Sequence, residues 1–145
     1  MSSVVTQTSK NMLTKGYIKR ALLKLTNYSY EELYVLVEFV EESQECSFGS
    51  DYEDDYDPEL IGDIEIGDDL TLEEKYYSLL HEMGHAVLHA ENREYDDTIL
   101  LETSAWCEGL RIANHLKLKI NEEKFKKQML HALDLYREVI NDNNR

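Results

Sequence analysis

The chain is poor in residues that interrupt or crosslink a fold. Its 145 residues include one proline, Pro58, six glycines, and two cysteines, Cys46 and Cys107. Two thiols make no disulfide framework, so both are expected free, as in a reducing cytosol. No run approaches the roughly 20 apolar residues that a membrane-spanning helix needs. Residues 1–10 lack the apolar centre of a signal peptide, and a cytoplasmic setting is expected. Bases are scarce too: 15 Lys and Arg against 30 Asp and Glu leave a net charge of −15. Such a surface argues against holding nucleic acid by phosphate neutralisation.

The charge is unevenly spread. Residues 1–30 carry five bases and no acid, whereas residues 41–70 carry thirteen acids and no base. Solubility, together with attraction between the basic and acidic stretches, accounts for this pattern; a docking surface for a charged partner is the sharper reading. The run Asp51 to Asp57 fails as a calcium loop, because an EF-hand needs Gly where Tyr56 stands and Glu where Gly62 stands.

With 42% apolar residues the chain is globular, and its length suits a single domain over 1–145. Helical spacing of Met12, Leu13, Tyr17, Ile18, Ala21, Leu22 and Leu25 predicts a first helix over 9–26. Residues 29–43 carry two patterns. Ser29 with Glu32 fits a capping box, yet the β-branched and aromatic residues favour a strand over 33–41. Residues 44–60 read as loop. Residues 61–67 alternate apolar and polar, and their glycines and charges suggest a sheet edge. Thr71 with Glu74 then caps a helix over 72–91. A second helix is expected over 98–116 and a last one over 121–140, with Phe125, Met129, Ala132, Leu133, Tyr136 and Val139 as its core stripe.

The chemistry is concentrated in Leu79-Leu80-His81-Glu82-Met83-Gly84-His85-Ala86-Val87-Leu88. Histidines four apart on a helix share one face, so both can give a nitrogen to one zinc ion (Zn2+). Glu82 between them can take the proton of a metal-polarised water. Shuffling this composition gives His-Glu-x-x-His roughly 0.02 times per chain.

A catalytic zinc takes three protein ligands. Glu91 stands where a metzincin places its third histidine, but the glycine that motif needs is Leu88 here. His89 has swung about 80° from His81 around the helix. Glu102, in the first turn of the next helix, is the better choice: a six-residue connection folds that helix back antiparallel, and Ala105 and Gly109 on its face permit close approach. Glu108 is the fallback. For stabilising an oxyanion or steadying the ligands, Tyr76, Tyr77, His89, Tyr95 and His131 are candidates.

The motif helix preceded by an Ile-x-Ile strand, then Glu102-Thr103-Ser104-Ala105-Trp106, resembles the glutamate-zincin metallopeptidases, and the small ImmA/IrrE-like branch most. The resemblance covers residues 9–116. It implies an α+β, minimal zincin-like domain: an N-terminal helix, a small sheet with an edge strand, the motif helix packed on a glutamate-bearing helix, and a C-terminal helix. It also implies a zinc endopeptidase with His81, His85 and Glu102 as ligands and Glu82 as general base. A protein or peptide substrate, basic enough to suit the acidic loop, is the expected partner. Two other functions fit the sequence: a zinc-binding interaction protein without activity, and an acidic decoy that mimics DNA.

Overall fold

The computed structural model describes residues 12–50 and 57–143. The start of the expected first helix (9–11) and most of the acidic run (51–56) lie outside them. The architecture is α+β, with four helices on a small three-stranded mixed sheet.

Helix α1, Lys15–Tyr28, starts where the Thr14 hydroxyl accepts the Tyr17 N–H at 3.0 Å. It buries Ile18, Ala21, Leu22 and Leu25, one face at helical spacing. Ser29 closes this helix into a π-helical turn, Ser29–Leu33, rather than capping a new one. Its hydroxyl is buried and donates to the Val35 carbonyl at 2.9 Å. The strand reading of the next stretch therefore holds, as β1, Val35–Val40.

Two readings of the sheet are corrected. Residues 44–60 are not all loop, because Cys46–Gly49 forms β2. Nor is the alternating segment an edge. Strand β3, Gly62–Gly67, lies in the centre, parallel to β1 and antiparallel to β2. Alternation reports one buried face and says nothing about neighbours on either side. The glycines answer to crowding: a Cβ at Gly62 would stand 2.7 Å from the Gly49 carbonyl oxygen, and one at Gly67 2.4 Å from that of Ser43. Val35, Val37, Ile64 and Ile66 form the sheet's share of the core, with Cys46 and Phe48 packed against it.

Helix α2, Leu72–Ala90, carries the expected capping box, with Thr71 and Glu74 bonding each other's backbone N–H. It ends in a Schellman turn: Asn92 takes a left-handed φ of 55°, and the Arg93 N–H reaches the Leu88 carbonyl at 2.8 Å. The chain folds back into α3, Thr98–His115, capped by Asp97. Arg93 ties the two helices, donating to the buried Glu108 at 2.7 Å. Glu108, also bound by Arg111, is thereby committed to this clamp.

Helix α4, Glu122–Asn143, follows Asn121, whose side chain accepts the Lys124 N–H. Its stripe is core only in part. Phe125 and Leu133 are buried, Met129 and Ala132 half-buried, but Tyr136 and Val139 are exposed. The second half of α4 outruns the helices beneath it.

The packing of α2 on α3 has almost no slack. A Cβ at Gly84 would meet the Ala105 carbonyl oxygen at 1.9 Å, and one at Gly109 the Leu80 oxygen at 2.6 Å. Gly84→Ala is expected to lower unfolding stability by about 1–3 kcal/mol, read from the denaturation midpoint, because backbone cannot yield as a side chain does.

Candidate metal centre

The seam between α2 and α3 sets the site. His81 and His85 stand one turn apart on α2, with ring centroids 4.7 Å apart. Glu102, one turn into α3, points at both. Its Oε2 lies 3.0 Å from His81 Nε2 and 2.6 Å from His85 Nε2. One donor atom from each of the three residues falls within 4.8 Å of the others, which makes the group a candidate metal site. Two imidazoles and a carboxylate are also the donor set of a zinc site with a position left open. His81, Glu82 and Glu102 are buried, and His85 is half-buried.

Burial treats the two acids differently. Glu82 is pushed up from its ordinary value of 4.5, first by burial and also by the Glu102 charge, against the pull of His81 and His85. Burial works against ionisation of Glu102 as well. There, hydrogen bonds with His81, His85 and Tyr136 outweigh it and hold the carboxyl far below the usual range. Burial would keep His85 neutral, but the hydrogen bond and charge of Glu102 raise it above 6.5.

None of the residues expected to assist makes a hydrogen bond or ring contact with Glu102 or His85. Tyr76 is buried, its hydroxyl donating to the Lys119 carbonyl at 2.8 Å. The Tyr77 hydroxyl donates to Glu73 and accepts the Asn121 N–H, tying α2 to α4. Tyr95 is exposed on the α2–α3 connection and makes no hydrogen bond or ring contact with the group. His131 lines a separate cavity with Leu13, Lys15, Tyr77 and Gln128. His89, exposed, bonds Glu94 at 2.5 Å and tilts against Phe48 of β2.

Tyr136 of α4 stands close enough to Glu102 for its hydroxyl to help hold that carboxylate ionised. Burial, followed by the Glu102 hydrogen bond, raises its pKa, so it stays a neutral phenol and a proton donor. It belongs to the apolar stripe of α4, and nothing in the stripe separates a residue at a cleft from one in the core.

Strand β2 runs beside the motif. Burial pushes the Cys46 thiol up, hydrogen bonds with the Gly67 backbone and the Ser78 hydroxyl oppose this, and the nearby Glu82 charge adds to the rise. With Phe48 against His89, the strand follows α2 from Ser78 past the histidines.

A model of the IrrE N-terminal-like domain, a peptidase family, matches residues 44–141. The chain belongs to this family. The match begins just before β2 and takes in α4, so family membership covers Tyr136 as well as the motif. No curated protein and no solved structure gives a significant match. The domain is thus peptidase-like, with a His81, His85 and Glu102 group compatible with a metal. No helix among the described residues is long and apolar enough to cross a membrane.

The pKa shifts give the metal-free protein a definite pH dependence. Glu102 is lowered, so its contribution is present above about 4.5 and lost as pH falls through the folded value. His85 is raised, so its contribution is full below 6.5 and lost as pH rises through the folded value. Glu82, also raised, loses stability in the same upward direction, starting above 4.5. The thermal midpoint of metal-free protein should therefore fall from about pH 6 to about pH 8. If the group takes a divalent metal ion, the stabilisation that ion adds should grow over that range, because ligand histidines must be neutral. Thermal melts with and without zinc check both signs.

Proposed function

We propose that this domain is a zinc-dependent peptidase of the glutamate-zincin type. The observation that carries the reading is the convergence of both motif histidines on one Glu102 oxygen, beside a buried Glu82 with a raised pKa. His81, His85 and Glu102 would hold the ion. A zinc ion there would supply Lewis acidity, polarising a substrate carbonyl and acidifying a water.

The chain's own residues supply the rest. Glu82 accepts the proton of the attacking water and passes it to the leaving amine nitrogen. Its raised pKa suits a group that must both take and release a proton near neutrality. Tyr136, a neutral phenol at the edge of the group, donates a hydrogen bond to the oxyanion in place of Glu102. The extended substrate pairs with the outer edge of β2, which no other strand covers among the described residues. Residues 61–67, expected at a sheet edge, are paired on both sides and leave no ladder open to a substrate. A basic peptide suits the acidic surroundings, and we read the setting as cytoplasmic.

Metal analysis should find one zinc per chain in the wild type and little in Glu102→Ala. Glu82→Gln should keep the zinc and abolish cleavage of a peptide library; a variant that still cuts removes Glu82 from the role. Tyr136→Phe should lower kcat by about 10²-fold with little change in KM. A zinc-loaded wild type inert towards every peptide would assign the domain a binding role instead.

A further inference from the structure

Trp106, the only tryptophan in the chain, follows Glu102 by one turn of α3. Its indole lies flat on His81, with centroids 4.3 Å apart and planes 7° from parallel. Phe125 of α4 meets the indole edge-on at 5.2 Å. The tryptophan is 2% exposed, and among the described residues its Nε1–H has no hydrogen-bond partner. A buried donor left unpaired loses its hydration without compensation. The ring is therefore held by its faces and edges, not by its polar atom.

A ligating imidazole is usually fixed by a hydrogen bond from its second nitrogen to a carboxylate or carbonyl. Among the described residues His81 has no good one. Its Nδ1 lies 3.5 Å from the nearest carboxylate oxygen, Glu82 Oε1, beyond the ordinary N–H···O range of about 2.7–3.2 Å. What constrains the His81 plane is the indole face. An imidazole that shares its lone pair with a cation also becomes electron-poor, and an indole face attracts such a ring more strongly.

We propose that Trp106 is a positioning residue for the metal centre, orienting His81 by stacking where a hydrogen bond would otherwise do so. This rests on the metal-centre reading above. Because the stack strengthens as His81 gives up electron density, metal binding and the stacking contact reinforce each other. The same contact makes the chain's sole indole a reporter on occupancy.

The test uses the full chain, with zinc affinity measured by chelator competition and cobalt(II) as spectroscopic probe. Trp106→Leu should bind zinc at least about 10-fold more weakly and alter the cobalt absorption bands, while Trp106→Phe, which keeps a flat ring, stays near wild type. One equivalent of cobalt(II) should quench wild-type tryptophan emission. A Trp106→Leu protein with wild-type affinity and bands overturns the proposal, as does unchanged emission at saturating cobalt. Should Trp106→Leu not fold, the wild-type quenching and the Trp106→Phe affinity decide. A wild type that binds neither ion takes down the metal-centre reading with it; loss of the stacking effect alone leaves that reading standing.

Discussion

The contact on which the rest depends is backbone against backbone, where α2 and α3 cross at Gly84 and Gly109. Any side chain at either position would collide with a carbonyl of the facing helix. Without that approach, a carboxylate one turn into α3 could not reach imidazoles on α2. The flanking order serves the same end: the Schellman turn at Asn92 reverses the chain, and the Arg93–Glu108 clamp fixes the return. The sheet then supports α2 from beneath, through Ile64 and Ile66.

Burial is only half of the site's electrostatics. Two carboxylic acids sit in one cleft, and their environments drive them in opposite directions. Glu102 has hydrogen-bonding partners in His81 and His85, with the Tyr136 hydroxyl adding to their effect, and stays ionised. Glu82 has none of comparable strength and is drawn towards its neutral form. Such divergence is how one site obtains both a fixed charge and a movable proton. It follows from placement alone, since the two residues have the same side chain.

Local features of this fold could be read from the sequence because their causes are local. Thr71 with Glu74 and the four-residue histidine spacing each act within about one turn, and each is where the sequence put it. What escaped was set by distant partners. Strand β2 is four residues in an acidic stretch and exists because β3 offers it a ladder. The central position of β3 depends on β1 and β2 flanking it, which alternation cannot encode. Tyr136 looked like core because helical periodicity fixes a direction but not how far the neighbouring helices extend. Glu102 was legible through an argument about two helices: a short connection, a small-residue face, and an acid that needed a cation.

Glu102 Oε2 already bridges the two imidazoles through hydrogen bonds. The tie between the helices is therefore made by side chains of the chain itself. Shortening that one carboxylate would remove a donor atom and cut a cross-link between two helices in the same stroke.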